Sequence, residues 1–447
     1  MIKKIKWNNH PIIGNLELDF TKSDGSAYRT VILAGENGTG KTTILDSLSA
    51  FLNLGSFEEF EYISYDANGV TYTIRPTTNA KLGFHIRKNE GDGTEKGIHS
   101  GKHNNKDSIS SDSEDIRYYG CAYSKARSGF NTDKVKSATT MQLDLDKYEE
   151  DGKDDFTSIK QLLVDIDDQD KSTWMELSET QTNPDFDAFK RTSKKYRFEK
   201  AFNEFFCGLK FKKINPNFPD EKKVEFEKNG KQIFIDDLST GEKQIVFRGT
   251  HLLKNSNNLS GGVVLIDEPE LSMHPKWQEK ILKYYCDLFM SGGAQTAQMI
   301  FATHSEYVLR AALTPPNNND MLIVVLKENG GVIEPHRVVA PSVLPSITSA
   351  ETNYIAFDVV SIDYHIQLYG YLQTKNHISS IRDTDNHIIA QPQYNTAIHQ
   401  KPYTYRTTTY QSLSTYIRNA IDHPDPTHSF TQEELRTSIE LLIELCR

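Results

Sequence analysis

The sequence predicts an α/β core split by a helical insert and followed by a small all-α C-terminal module. Three observations predict it. Short apolar runs such as TVILAG (30–35) read as buried strands. One of them feeds a Gly-rich turn, GENGTGKTT (35–43), that opens a helix. Near the C-terminus, apolar residues recur at i, i+3 and i+4, the spacing of one helix face.

Taken in order, residues 1–34 read as short strands, and GKTTILDSLSAFL as a helix. Residues 58–86 alternate again as strands. Residues 88–116 are polar and Gly/Ser-rich, the composition of a flexible surface excursion. Residues 155–207 carry helical patterns, including DFTSIKQLLVDIDD, but no sustained heptads. That excludes a long coiled-coil arm and predicts a compact lid or a short arm. The core resumes at QIFIDDLSTGEKQ and continues through GVVLID, QMIFAT and MLIVVL. From Glu351 the pattern is helical, with a long helix first and a polar loop at about 376–408. The expected division is a first core lobe at 1–87, loop and lid at 88–204, a second core lobe at 205–345, and the helical module at 346–447.

Composition bounds the class. A length of 447 residues gives two or three domains. The net charge of −10 provides no global field for nucleic acid, so RNA or DNA contact needs a local basic patch. Cys121, Cys207, Cys286 and Cys446 are scattered without a CxxC pair, which suits a reducing compartment. The N-terminal stretch has no signal-type apolar segment, and no run is long enough to span a bilayer. A cytoplasmic protein without membrane contact is expected.

The turn at 35–43 fits G-x-x-x-x-G-K-[ST] in its required strand-to-helix setting. Backbone N–H groups of Gly35, Glu36, Asn37, Gly38, Thr39 and Gly40 wrap phosphates, and the helix N-terminus with Thr43 adds positive potential. Lys41 is expected on the β/γ-phosphates of ATP, and Thr42 on Mg²⁺. GGVVLIDEPELSMHP (261–275) is an apolar strand ending in Asp267 and Glu268. Asp267 suits the Mg²⁺ shell, and Glu268 suits polarising the attacking water. MIFATHSEYVL places His304 at a strand end, where imidazole can meet a γ-phosphate.

LSTGEKQ (238–244) resembles the signature loop of the ABC superfamily, and the chain order of phosphate loop, signature, acidic strand and switch histidine matches. The DEPE…HP form is similar to the SMC-like and OLD-like branch of these AAA-type ATPases. The resemblance implies a head-to-tail dimer or higher oligomer, with Ser239 and Gly241 contacting ATP held by the other subunit. It also implies a glutamine loop, for which Gln142 is the candidate, and an adenine-stacking residue, for which Trp7 is. Within the lid, KRTSKKYRFEK (190–200) is read as a solvated helix face or a nucleic-acid contact, and DIDDQD (165–170), which looks like a metal cluster, as a cap or solvated helix end.

TYIRNAIDHPDP (415–426) is an amphipathic helix that should end at His423, before Pro424. Residues five apart differ by about 140° around a helix axis, so only the helix end lets His423 swing back toward Arg418. The R-N-x-x-x-H sequence resembles the HEPN family, whose ribonuclease members cleave RNA without a metal. There the Arg418 equivalent binds phosphorane charge and the His423 equivalent moves a proton. Thr431 and Glu434 form a capping box for the last helix.

Two functions stay open. In one, an anti-phage, abortive-infection ATPase gates its own C-terminal ribonuclease, as in anticodon-nuclease ATPases. In the other, a scaffold ATPase similar to those of the Septu and retron systems regulates a separate HNH nuclease. A DNA-repair ATPase of SMC type is disfavoured by the short insert. The nuclease tail of OLD proteins is missing its acidic cluster.

Overall fold

The computed structural model describes every residue except 79–80, 82, 100–105, 127–132, 140–142, 144–157, 219, 255–258, 292, 316, 318–320, 339–342, 406 and 425–426. The chain forms two compact units. One is Met1–Ala312 with Asn319–Arg337; the other is Leu313–Asn318 with Val338–Arg447.

The first unit is built on a six-stranded sheet. Its order is Val332–Val338, Met321–Asn329, Thr30–Gly35, Gln298–Ala302, Val263–Asp267 and Cys121–Ser124. The last five strands are parallel. Strands 30–35, 263–267 and 298–302 are buried along their whole length, which is why they read as unbroken apolar runs. A second, antiparallel sheet runs from Glu17–Asp19 through Ile2–Trp7, Phe60–Ala67, Val70–Pro76 and Phe84–Asn89 to Glu95–His99. The helix Lys41–Leu52 supplies Ile44, Leu45, Leu48 and Phe51 to one core with Ile5, Trp7, Phe60 and Ile63 of the antiparallel sheet and Leu33, Leu265 and Ile300 of the parallel one. That core fixes the phosphate loop between the two sheets.

Two expectations for 88–204 are corrected. The polar stretch is partly regular: Glu95–His99 pairs with Phe84–Asn89, and Lys106–Ser111 is a helix. The Gly-rich residues there form a hairpin turn. Gly93 has φ +76°, Asp92 accepts from Thr94 N at 2.9 Å, and Asn89 accepts from Gly91 N at 2.8 Å. Cys121–Ser124 is an edge strand of the parallel sheet, so the core re-enters inside the span read as insert. The lid helices are Ile159–Thr180, Phe186–Thr192 and Lys194–Phe205.

The second unit is helical around Leu368, Leu372, Ile388, Ile417, Ile439 and Leu442. Its first helix is not continuous. Ser349–Phe357 stops at Asp358 (φ +55°), and Ile362–Lys375 restarts with Ser361 accepting from Tyr364 N. The stretch read as a polar loop holds helices Ile381–Ile389 and Thr396–His399 and an antiparallel hairpin, Gln400–Tyr405 with Thr408–Ser412. Buried Asp385 pins the hairpin. It accepts from Gln411 N at 2.8 Å, Ser412 N at 2.9 Å and Ser412 Oγ at 2.6 Å.

Candidate nucleotide site

Three glycines shape the phosphate loop. Gly35, Gly38 and Gly40 have φ +140°, +88° and +79°, a region L-residues rarely adopt. A Cβ on Gly35 would lie 2.4 Å from Leu326 O, and one on Gly40 would lie 2.3 Å from Ile13 Cγ2. Glu36, Asn37 and Gly38 are exposed, and no side chain caps the first turn of the helix Lys41–Leu52. Its free N–H groups therefore face an open cradle.

Lys41 folds back across that cradle, donating to Gly35 O at 2.9 Å and Glu36 O at 2.8 Å. Burial pushes its ammonium down to about 8, opposed by Asp267, Glu268, Glu270 and Glu36. Thr42 Oγ1 donates to Asp267 Oδ2 at 3.0 Å, so the two expected magnesium ligands meet across the loop. Burial raises the Asp267 carboxyl; the Thr42 hydrogen bond opposes this, and Glu268 adds to it.

Glu268 has φ +44°, a strained conformation for a non-glycine residue. His304, just past the strand Gln298–Ala302, places Nε2 2.9 Å from Glu268 Oε1. The sequence expectation thus brings Lys41, Thr42, Asp267, Glu268 and His304 to one place.

Two members of this site escaped sequence reasoning. Arg248, 1 % exposed, lies on the helix Thr240–Leu253. It donates to the carbonyls of Asp267 (2.9 Å), Glu268 (3.0 Å) and Lys125 (2.9 Å), clamping the backbone that carries both acids. An arginine inside the apolar run IVFRG was its signal. Glu270 accepts from Thr303 Oγ1 at 2.7 Å and His304 N at 3.0 Å, and burial raises its carboxyl.

Ser239 is the exposed N-cap of the helix Thr240–Leu253 and shares a capping box with Glu242. Gly241 is buried, and a Cβ there would lie 2.6 Å from Ser272 O. Trp7 is corrected as an adenine-stacking candidate. It is fully buried, bonds Ser47 Oγ at 3.0 Å and packs on Phe60. The exposed apolar side chain beside the loop is Ile12, 56 % exposed. Gln142 lies outside the described residues.

The lid charges pair largely with one another. Asp167 binds Lys195 at 2.7 Å and Lys171 at 2.6 Å. Asp165 accepts from Thr139 N and Oγ1 at 2.7 and 2.8 Å, and Asp170 accepts from Ser193 Oγ at 2.6 Å. Among the described residues, no group of three or more His, Cys, Asp or Glu could hold a metal ion.

In the second unit, Arg418 does not meet His423. Its guanidinium binds Asp422 at 2.5 Å and Asn419 Oδ1 at 3.0 Å. His423, just past the helix Leu413–Asp422, stacks on Tyr405 with ring centroids 5.0 Å apart and planes 7° apart. The i, i+4 position of Asp422 outcompetes the swing back of the histidine.

A glycine phosphate loop with its lysine, a threonine–aspartate pair across it and a glutamate–histidine contact define a P-loop ATPase site. The chain belongs to the family described as "AAA domain, putative AbiEii toxin, Type IV TA system", whose model matches residues 31–310. It is 37 % identical over 91 residues to the "Retron Vc95 probable ATPase" of Vibrio cholerae serotype O1 biovar El Tor. That match covers 18 % of this chain and 17 % of that protein. Among solved structures it is similar to the SMC head domain from Thermotoga maritima, at 14 % identity and a TM-score of 0.40 over 75 % of this chain and 98 % of that one. It is also similar to the Smc head bound to the C-winged helix domain of ScpA, at 16 % identity and a TM-score of 0.40 over 76 % and 98 %. No helix among the described residues is long and apolar enough to cross a membrane.

Proposed function

We propose that the chain is an ATP-driven switch of a toxin–antitoxin or retron-type defence system, closing head to tail with a second copy over ATP. The observation that carries this reading is the convergence of Lys41, Thr42, Asp267, Glu268 and His304 at one open loop. Lys41 moves from the loop carbonyls onto the β/γ-phosphates. Thr42 and Asp267 fit Mg²⁺, which keeps several non-protein ligands and supplies charge neutralisation when bound. Glu268 orients the attacking water, and His304 faces the γ-phosphate. Ile12 receives the base. The exposed N-terminus of the helix after Ser239 meets the partner's triphosphate, and loss of the γ-phosphate releases it.

The test of the dimer is Ser239→Arg. It should leave single-site ATP affinity within about threefold, since Ser239 serves the other copy's nucleotide, and remove ATP-dependent dimerisation. Ultracentrifugation with a non-hydrolysable ATP analogue reads this directly. An unchanged dimer in Ser239→Arg sinks the head-to-tail arrangement.

For the C-terminal unit, the geometry favours a scaffold that docks a separate nuclease, of HNH type in the systems it resembles. Arg418 is already neutralised by Asp422, and His423 lies on Tyr405. Residues 338–447 hold seven Lys/Arg against eleven Asp/Glu, a formal net charge of −4 that repels RNA. Purified chain with ATP should therefore leave total cellular RNA intact, and Arg418→Ala and His423→Ala should hydrolyse ATP normally. RNA cleavage by the chain alone, surviving EDTA once the dimer is assembled and lost in either variant, would establish the ribonuclease reading instead.

A further inference from the structure

The lid carries a groove that the ATPase cycle does not use. It encloses about 820 Å³ between the helix Lys194–Phe205, the end of the helix Phe186–Thr192 and the short strand Met290–Ser291. Four cations line it: Lys190, Arg191, Arg197 and Lys200. Two acids, Glu199 and Asp287, also line it.

The balance of charge is positive once partners are assigned. Asp287 is bound by Lys283. Arg197 donates to Leu288 O and is left out of the balance. Lys190 has an exposed partner, Asp187, at 3.3 Å. Arg191 and Lys200 are exposed, with no hydrogen bond or ion pair to a described residue. Of the acids of 165–170, Asp167 is spent on Lys171 and Lys195 and Asp170 on Ser193 and backbone N–H groups, while exposed Asp168 is not one of the described residues that line the groove. Among the described lining residues Glu199 is the one remaining acid, and burial raises its carboxyl.

The groove also holds an aromatic ring. Tyr196 lines it, half-buried, with Lys190 Nζ 5.7 Å from its ring centre. Phe186, 38 % exposed, packs edge-on to Tyr196 at 5.7 Å. Cations that track a backbone, beside rings that take a base face, are the two parts of a single-strand site. An acidic peptide would use the cations but has no need of the rings.

We propose that this groove binds single-stranded nucleic acid, through phosphate contacts to Arg191, Lys200 and Lys190 and base stacking against Tyr196. The site lies outside the phosphate loop, so it accounts for how a chain of net charge −10 meets a nucleic acid without help from its C-terminal unit.

The experiment is fluorescence anisotropy of the full chain with labelled oligo(dT) and oligo(U) of about fifteen nucleotides, within the usual site-size range. Arg191→Glu and Lys200→Glu lie on the surface and should leave ATP affinity and melting temperature unchanged. Each should weaken oligonucleotide binding about tenfold. The double variant should flatten the plot of log K against log salt by about 1.4, from a slope of about −0.7 per phosphate contact on single strands. Unchanged affinity and slope in the double variant overturn the proposal. So does displacement of the oligonucleotide by polyglutamate of equal charge, which would make the occupant an acidic polypeptide.

Discussion

Lys41→Ala is expected to abolish ATP binding, while Glu268→Gln keeps it and loses turnover by about 10² to 10³. The two residues act on different parts of the reaction. Lys41 supplies the cation of the cradle, and its Nζ already lies among loop carbonyls that a triphosphate would replace. Glu268 acts on Lys41 only through its charge, and its carboxylate is hydrogen-bonded to His304. Removing that negative charge leaves the phosphate contacts intact, so Glu268→Gln should hold ATP and accumulate as a closed dimer. Titration calorimetry and phosphate release separate the two effects. Normal hydrolysis by Glu268→Gln would remove Glu268 from the role of water activation. The lysine adds a pH signature. Without nucleotide its ammonium is pushed down to about 8, and phosphate charge raises it again. ATP binding at pH 8 should therefore take up protons, and the uptake should shrink toward pH 6, where Lys41 is already charged. Calorimetry in buffers of different ionisation enthalpy measures this, and Lys41→Arg should abolish it.

The parts of this site that were legible in the sequence are those written in local pattern. The phosphate loop needs glycines at fixed offsets, because Gly35, Gly38 and Gly40 all have positive φ. The acidic strand and His304 sit at the ends of fully buried parallel strands, which leave unbroken apolar runs. Contacts between distant segments leave no such trace. Arg248 reaches Lys125 O across more than a hundred residues, and Glu270 meets Thr303 and His304 only because two strands are neighbours. Trp7 misled for the opposite reason. An aromatic residue early in the chain suits base stacking, but its strand belongs to the antiparallel sheet whose inner face is core. In the C-terminal unit, composition hid regular structure. The polar stretch at 376–408 is cut into elements by caps, Ser380 accepting from Asp383 N and Asn395 accepting from Ala397 N. Polarity there reports capping and hairpin edges, not the absence of order.

Arg248→Lys is expected to lower turnover at least tenfold with ATP affinity within about threefold, and Arg248→Met to cost about 2 to 3 kcal/mol of stability. The guanidinium is essentially fully buried and donates to three carbonyls, that of Asp267 in a buried bond and those of Glu268 and Lys125 in part-buried ones. A methionine fills similar volume but donates nothing. A buried acceptor left unsatisfied costs about 1 to 3 kcal/mol and the part-buried ones less, enough for a melting-temperature drop well outside error. Lysine keeps the charge but cannot span three acceptors with the planar fork of arginine. In that variant the fold survives, and the loss falls on the backbone of Asp267 and Glu268. Glu268 holds φ +44°, a conformation that persists only where its surroundings enforce it. Two enforcing contacts are its N–H bond to Ala302 O at 2.9 Å and the Arg248 clamp on its own carbonyl. Weakening the second should let the carboxylate leave the position that meets His304. The phosphate loop, held by its own glycines and the helix Lys41–Leu52, should not register the change. Arg248 also sits on the helix that begins at Ser239, so it joins the surface proposed to meet the partner's nucleotide to the acids of its own site. The measurement is kcat and KM for ATP beside a thermal melt. A stable Arg248→Lys protein with wild-type kcat would show that Glu268 keeps its geometry without the clamp.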